Sequence, residues 1–291
     1  MIYVVMGPTA SGKTIAANKL VDFLGCDVIN FDAFQIYKKM DIGTSKLEKD
    51  DPHYSSYHLL DFVSPDVTFS VKEYQEVARK VLDALLTKDK NVVMVGGTGL
   101  YLRATLFDYS FNEEDEIDTS ELEKLTNEEL HKRLEELDPE ESKKIHQNNR
   151  KRLIRAISMI EQAGVSKTEL LAKQNHELVY KDVVFLYLCP PRELLYEKID
   201  KRVEQMMEQG LVEEVKTLYE NNELSLTAKQ GIGYKEVIEY LEGKIDYNSC
   251  VSLIKQRTRN YAKRQITFFS RQFKSIKFES VEELVNYVKE L

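Results

Sequence analysis

The chain has few cysteines and no long apolar run, and each shortage excludes a class of protein. Its three cysteines, Cys26, Cys189 and Cys250, lack CxxC spacing, so neither a disulfide framework nor a zinc site is expected. The longest apolar runs, such as residues 183–189, are far too short to span a membrane. The chain begins with an apolar strand and shows no signal-peptide pattern, which predicts a cytoplasmic protein without a membrane partner.

Proline and glycine are also scarce, and the rest of the composition is that of a folded protein. The 291 residues include 6 prolines and 12 glycines, with 42% apolar and 31% charged residues. This balance excludes disordered and fibrous classes, and no repeat or low-complexity tract is visible. The length fits two average domains or one α/β domain with an insertion.

Acidic residues outnumber basic ones, but the charge is segregated along the chain. The formal net charge is −8, yet residues 255–274 contain seven basic residues and no acidic one. Residues 143–173 form a second acid-poor, basic stretch, directly after the acidic stretch 113–142. Two basic surfaces on an acidic chain favour nucleic acid as a partner.

A phosphate-binding loop stands near the start of the chain. Residues 7–14 read GPTASGKT, a complete GxxxxGK[ST] motif between an apolar strand and a helix-like stretch. In such a loop, backbone N–H groups converge on phosphate oxygens, the lysine supplies a positive charge, and the final hydroxyl can hold Mg²⁺. The residues predicted to bind a diphosphate or triphosphate are Gly7, Thr9, Ala10, Ser11, Gly12, Lys13 and Thr14, with Thr14 as the metal ligand.

Strands and helices alternate as in a parallel α/β protein. The predicted strands at 2–6, 27–31, 91–95 and 183–188 are separated by helices, which predicts a P-loop-containing parallel sheet flanked by helices. Between them the chain becomes charged and helical. We therefore predict a core formed by residues 1–110 and 182–291, with a helical insertion domain at 111–181.

Three polar features follow the predicted strands. Asp32 ends the second strand, and because the carboxyl ends of parallel strands form the ligand crevice, its carboxylate is expected beside the phosphate loop. Three roles are open for Asp32: a general base, a residue that binds magnesium indirectly, or an aspartate that only caps a turn or a helix. The glycine-rich segment 96–99, which includes Thr98, either lets the backbone approach a ligand or only forms a tight turn between a strand and a helix. Arg202 holds phosphate oxygens or is solvated.

A long helix predicted over residues 247–272 carries the strongest basic charge. Its apolar residues from Ala262 to Phe273 recur at helical spacing and predict a core-facing stripe, with arginines on the opposite face. Either this face follows a polynucleotide backbone, or it is an ordinary solvated surface. The basic residues of this helix proposed to bind a polynucleotide are Arg257, Arg259, Lys263 and Arg264. A second basic helix, proposed to do the same, begins with Arg150, Lys151 and Arg152.

With these motifs, the chain resembles the tRNA dimethylallyltransferases, also called tRNA isopentenyltransferases, over nearly its whole length. The segments that carry the resemblance are GPTASGKT (7–14), DAFQIYK (32–38), DIGTSK (41–46), VGGTGLYL (95–102), IHQNN (145–149), GIGYKE (231–236) and TRNYAKRQ (258–265). Departures also occur, since the family usually has serine where this chain has Ala33 and often tryptophan where it has Phe268.

The resemblance implies transfer of the dimethylallyl group from dimethylallyl diphosphate to N6 of the adenosine 3′ of the tRNA anticodon, with Mg²⁺ as cofactor and diphosphate as leaving group. It implies that Asp32 is the base and that Thr14 and Arg202 act on the diphosphate. The insertion and the basic helix would contact the tRNA. The residues implied to hold the extruded adenosine are Asp32, Ala33, Phe34, Gln35 and Thr98.

Three other functions use the same phosphate loop. A small-molecule kinase would bind ATP there but would not need a large basic insertion. An enzyme that prenylates free adenine nucleotides would keep Asp32 but have no polynucleotide surface. A non-catalytic RNA-binding protein would keep the basic surfaces but not require Asp32. No interface signal stands out in the sequence, so a monomer is expected.

Overall fold

In a computed structural model of the protein, the chain forms a parallel sheet. The structure describes residues 1–87, 90–109, 119–165 and 177–291, and within them six strands pair in the order β3-β2-β4-β1-β5-β6. The strands are β1 (Ile2–Met6), β2 (Asp27–Asn30), β3 (Tyr57–His58), β4 (Val92–Gly96), β5 (Val183–Leu188) and β6 (Ile276–Phe278). All five pairings are parallel, which confirms the predicted α/β class.

Helices connect the strands or form the insertion. In chain order they are α1 (Lys13–Leu24), α2 (Val71–Leu86), α3 (Gly99–Leu106), α4 (Ser120–Glu123), α5 (Asn127–Leu137), α6 (Pro139–Ser142), α7 (Arg150–Ala163), α8 (Arg192–Glu208), α9 (Leu211–Glu220), α10 (Tyr234–Leu241), α11 (Tyr247–Gln272) and α12 (Val281–Lys289). Of the described helices, none combines the length and apolarity needed to cross a membrane.

The centre of the sheet is apolar because β1 is covered on both faces. All five residues of β1 are buried, and the strand pairs with β4 on one side and β5 on the other. Ala16, Ala17 and Leu20 on α1 pack in the same buried cluster as Leu284 on α12. Parallel sheets require such two-sided cover, which explains the continuous apolar runs in the sequence.

Two glycines shape the phosphate loop between β1 and α1. Gly12 lies directly before α1 with φ of 96°, a left-handed conformation that glycine adopts without strain. Gly7 lies so close to β5 that a β-carbon there would stand 2.1 Å from the carbonyl oxygen of Leu188. The loop therefore depends on glycine at both positions, and it presents the N-terminus of α1 at the carboxyl end of β1.

The chain divides into two compact units. The sheet unit comprises Met1–Leu106 and Tyr180–Leu291, and the helical unit comprises Phe107–Val179. In the helical unit, the backbone N–H of Asp108 donates to the carbonyl of Glu177 at 2.8 Å, and Phe107 and Leu178 form an antiparallel bridge. These contacts pair the two connecting segments, so the unit starts and ends slightly before the predicted residues 111 and 181.

The helical unit has a core of its own, built from α4, α5 and α7. Its buried cluster includes Leu130 and Leu134 of α5 and Leu153 and Ile157 of α7. The helices α4 and α5 are separate, because Thr126 caps the N-terminus of α5 by accepting from the backbone N–H of Glu129. The helix α7 ends before Gly164, whose φ of 66° is the left-handed conformation common after a helix.

Candidate active site

A cavity of about 930 Å³ lies at the carboxyl ends of β1, β2 and β4. The structure thus brings the phosphate loop, Asp32 and Arg202 to one place, although they lie far apart in the sequence. Gly7 and Ser11 are buried in the same loop and support it from behind. The residues proposed from the sequence that line the cavity are Thr9, Ala10, Gly12, Lys13, Thr14, Asp32, Gln35 and Arg202.

The electrostatics of the cavity favour an anion. Lys13 Nζ donates to the carbonyl of Pro8 at 2.6 Å. Burial lowers the pKa of Lys13 to about 7, a shift that Asp32 opposes and Arg202 reinforces. Burial also lowers the pKa of Arg202 below its ordinary value, again opposed by Asp32. Two desolvated cations in one cavity gain stability when an anion binds, so phosphate binding is the chemistry that this arrangement supports.

Asp32 follows β2 and uses one oxygen to hold its own turn. Its Oδ1 accepts from the backbone N–H groups of Phe34 at 3.0 Å and Gln35 at 3.3 Å. Oδ2 lies toward Gly97, 3.6 Å from the place where a β-carbon would stand there. The turn-capping interpretation is confirmed for Oδ1. The general-base interpretation stays a prediction, which is compatible with this geometry because Asp32 lines the cavity and the cap uses Oδ1.

The turn after Asp32 is held by the turn that follows β4. The backbone N–H of Ala33 donates to Thr98 Oγ1 at 2.9 Å, so the alanine that replaces the family's usual serine takes part through its backbone. Phe34 lies against Gly231, where a β-carbon would stand 3.1 Å from Phe34 Cε1. Thr98 and Phe34 thus support the cavity wall through contacts within the protein.

Gln265 is a cavity residue whose position the charge pattern of α11 did not reveal. Its Oε1 accepts from the backbone N–H of Thr9 at 2.8 Å, and its Nε2 donates to the carbonyl of Gly97 at 2.8 Å. One buried amide therefore joins the phosphate loop to the turn after β4. The only signal in the sequence is its place in the TRNYAKRQ segment, which we interpreted as RNA-binding.

One wall of the cavity is formed by residues 41–46. Lys46 has a side chain only 2% exposed and pairs with both Asp41 and Asp61 at 2.6 Å. Burial raises the pKa of Asp61, but the hydrogen bonds from Lys46 and Lys49 outweigh burial and hold this pKa below its usual range. The wall also accepts a hydrogen bond from Arg202, whose Nη2 donates to the carbonyl of Thr44 at 3.1 Å.

Among the described residues, no group of three or more histidine, cysteine, aspartate or glutamate side chains is arranged to hold a metal ion. An all-protein metal cage is therefore not a feature of this part of the chain. A magnesium ion that takes most of its ligands from phosphate and water needs no such cage, and the Thr14 hydroxyl at the cavity fits that role.

The N-terminal half of α11 differs from its prediction as an exposed basic surface. Arg257 pairs with Glu236, whose side chain is 1% exposed, and Arg259 pairs with Asp200. Lys255 pairs with Glu204 at 2.5 Å. These acids come from α8 and α10, so a helical projection of α11 alone does not show them. These side chains are engaged within the protein, and the binding of tRNA by Arg257 and Arg259 stays a prediction.

The C-terminal half of α11 does expose its basic residues. Lys263, Arg264 and Arg271 are exposed and line a shallow cleft of about 420 Å³. The ring of Phe268 lines the same cleft and packs against Gly99, where a β-carbon would stand 2.2 Å from Phe268 Cε1. This half of the helix thus combines positive charge with an aromatic ring, as single-stranded nucleic-acid sites do.

In the helical unit, the three predicted basic residues again have different surroundings. Arg150 Nη1 donates to the carbonyl of Leu125 at 2.7 Å, and Nη2 donates to that of Glu123 at 2.6 Å. Arg150 therefore holds the segment after α4, and its contact with tRNA stays a prediction. Lys151 and Arg152 are exposed at the start of α7.

A phosphate loop, two desolvated cations and a fixed carboxylate around one cavity define an enzyme that transfers a group to or from a phosphorylated substrate. The family model described as IPP transferase matches residues 35–272 of the chain. The chain belongs to the IPP transferase family. This result confirms the resemblance and the class of enzyme that the sequence predicted.

Curated relatives and solved structures agree with this family. The chain is 39% identical over 99% of its length to a protein named tRNA dimethylallyltransferase from Bacillus cytotoxicus, 94% of which is covered. The crystal structure of the tRNA Δ(2)-isopentenylpyrophosphate transferase from Staphylococcus epidermidis aligns with a TM-score of 0.71 and 32% identity, covering 99% of this chain and 97% of the other. A eukaryotic dimethylallyltransferase acting on tRNA aligns with a TM-score of 0.78 and 28% identity, covering 92% and 69%.

Proposed function

We propose that the protein transfers the dimethylallyl group from dimethylallyl diphosphate to N6 of the adenosine 3′ of the anticodon in tRNA and releases diphosphate. The observation that carries this proposal is the cavity in which Lys13 and Arg202 face the fixed carboxylate of Asp32. An allylic C–O bond breaks readily when charge on the departing diphosphate is neutralised, and the two cations are suited to that task.

The donor diphosphate binds in the phosphate loop. Backbone N–H groups of residues 12–14, the Lys13 ammonium and the Arg202 guanidinium hold its oxygens. Thr14 would hold Mg²⁺ together with diphosphate oxygens and water, and the ion supplies further charge neutralisation at the leaving group. Removal of divalent cations by a chelator is expected to abolish transfer and added Mg²⁺ to restore it, measured with labelled donor.

The acceptor adenosine lies on the side of Asp32. As the bond between N6 and the first carbon of the dimethylallyl group forms, the bond from that carbon to the diphosphate oxygen breaks, and Asp32 Oδ2 takes the N6 proton. The amine needs this help because its lone pair is delocalised into the purine ring. The base must leave the anticodon stack to reach the cavity, at a cost of about a few kcal/mol.

Contacts to the rest of the tRNA offset that cost. Lys263, Arg264 and Arg271 are suited to backbone phosphates, and the ring of Phe268 to an unpaired base. In the helical unit, Lys151 and Arg152 offer further positive charge. The cytoplasmic location and monomeric state expected from the sequence stay predictions.

The experiment supplies labelled dimethylallyl diphosphate together with tRNA or with free AMP, ADP or ATP. Label in tRNA alone supports the proposal, label in the free nucleotide indicates the nucleotide-prenylating alternative, and phosphate transfer from ATP indicates a kinase. Asp32→Asn is the matched variant, because its amide oxygen still accepts from Phe34 and Gln35. We expect it to lower the transfer rate by about 10²-fold or more while tRNA affinity is retained. Full activity of this variant would remove Asp32 from its role.

A further inference from the structure

The carbonyl of Thr44 connects the two sides of the cavity. It accepts from Arg202 Nη2 at 3.1 Å and from Gln35 Nε2 at 3.1 Å. Arg202 is on the diphosphate side of the proposed site, and Gln35 is on the adenosine side. The position of one backbone carbonyl therefore affects the orientation of a side chain on each side.

A carboxylate on α9 holds the backbone that leads to this carbonyl. Glu214 Oε2 accepts from the N–H groups of Asp41 at 2.9 Å and Ile42 at 2.7 Å, and Oε1 accepts from that of Gly43 at 3.1 Å. Three successive N–H groups thus converge on a single side chain. Charge-assisted bonds of this kind are about twice as strong as neutral ones.

Tyr234 fixes the same carboxylate and the same backbone. Its hydroxyl donates to Glu214 Oε1 at 2.5 Å, and burial together with the carboxylate raises its pKa, so it remains a donor. Its ring leaves no space beside Gly43, where a β-carbon would stand 2.4 Å from Tyr234 Cε2. Glu214 therefore receives four hydrogen bonds, and the segment cannot shift without losing several of them.

We propose that Glu214 is a positioning residue for the transfer reaction, which holds the backbone of residues 41–44 so that Thr44 orients Arg202 and Gln35. Glu214 does not line the cavity among the described residues, so it acts through the segment and not on the substrate. This inference rests on the proposed function, because it assumes that Arg202 holds the donor diphosphate.

The first test compares Glu214→Gln with Glu213→Gln. Glutamine keeps the size of the side chain but places an NH₂ group against N–H donors, whereas Glu213 is exposed on the same helix. Inorganic diphosphate with Mg²⁺ is the probe, and calorimetry measures its Kd at a temperature where circular dichroism shows both variants folded. We expect Kd to rise about tenfold for Glu214→Gln and to stay at the wild-type value for Glu213→Gln.

A double-mutant cycle with Arg202→Ala separates positioning from general stabilisation. If Glu214 acts through Arg202, Glu214→Gln has less than about a twofold effect on diphosphate Kd once Arg202 is absent. Fully additive effects would overturn the proposal. Wild-type protein that fails to bind diphosphate would instead overturn the proposed function, a result distinct from additivity.

Tyr234→Phe keeps the test decisive if Glu214→Gln does not fold. It removes one of the four donors and leaves the charge and the packing on Gly43 in place. We expect about a threefold rise in diphosphate Kd, which again disappears in the Arg202→Ala background. An unchanged Kd in Tyr234→Phe would contradict the proposal.

Discussion

The two halves of α11 both carry basic residues but place them in different surroundings. In the N-terminal half, Lys255, Arg257 and Arg259 pair with carboxylates of α8 and α10. In the C-terminal half, Lys263 and Arg264 are exposed beside a shallow cleft. A basic helix in a sequence is therefore not one surface, because acids from elsewhere in the fold decide which cations face solvent.

The largest expected difference between the two halves is in stability. Arg257→Ala removes the cation that pairs with the buried carboxylate of Glu236, which still accepts from the backbone N–H of Gly233. We expect the free energy of unfolding to fall by about 3 kcal/mol. Urea unfolding followed by circular dichroism measures it. Arg264→Ala, on the exposed half, is the control and is expected to change stability by less than about 0.5 kcal/mol. Equal stability of the two variants would show that the pair does not hold α11.

A second stability difference is expected within α7. Arg150→Ala removes the guanidinium that donates to the carbonyls of Glu123 and Leu125 and so leaves them without this partner. We expect the free energy of unfolding to fall by about 2 kcal/mol. The neighbouring Arg152→Ala, exposed on the same turn, is expected to match wild type in the same urea titration. A loss of stability in Arg152→Ala as large as in Arg150→Ala would contradict this assignment.

For RNA binding, substitutions in the C-terminal half of α11 are expected to have the larger effect, the reverse of their order in stability. Arg264→Ala combined with Arg271→Ala removes two proposed phosphate contacts, so tRNA Kd should rise about tenfold and the slope of log Kd against log salt should fall by about 1.4. Filter binding over a range of salt concentrations measures both. Arg259→Ala, whose side chain pairs with Asp200, should leave the slope unchanged. The comparison fails if both variants alter the slope equally.

The smallest effect is expected at the aromatic ring of the cleft. Phe268→Ala removes the surface on which an unpaired base is proposed to stack, and we expect tRNA Kd to rise about fivefold, or about 1 kcal/mol. Phe268→Trp supplies a larger aromatic surface for stacking and should retain wild-type tRNA affinity. If tryptophan weakens binding as much as alanine does, the ring serves only to pack against Gly99.

Local patterns predicted the sheet and the phosphate loop because their determinants lie within a few residues of each other. The apolar run Ile2–Met6, the glycines of the loop and the N-cap at Gly12 are all adjacent in sequence. The short β3 was not predicted, because it has two residues. The helices α9 and α10 were not predicted as separate elements, because only two residues divide α9 from α8 and α10 follows a turn-rich segment.

Prediction of the candidate site had the same limit, because local sequence patterns do not reveal contacts between separate elements. Asp32 was found from its place after a strand, whereas Glu214 contacts residues 41–43 from a distant helix, and no spacing in the sequence relates the two. The ion pairs of Arg257 and Arg259 were missed for the same reason. Pairings between separate elements depend on how those elements pack, which composition and periodicity do not contain.

Gln265 has a consequence for how the two substrates share one enzyme. Its amide accepts from Thr9 and donates to Gly97, so α11 is tied by a single side chain to loops on both sides of the cavity. The exposed basic residues Lys263, Arg264 and Arg271 of that helix lie within two turns of this amide. A displacement of the helix along its axis would strain both bonds together, so the phosphate loop and the turn after β4 keep their relative position only while α11 stays in register.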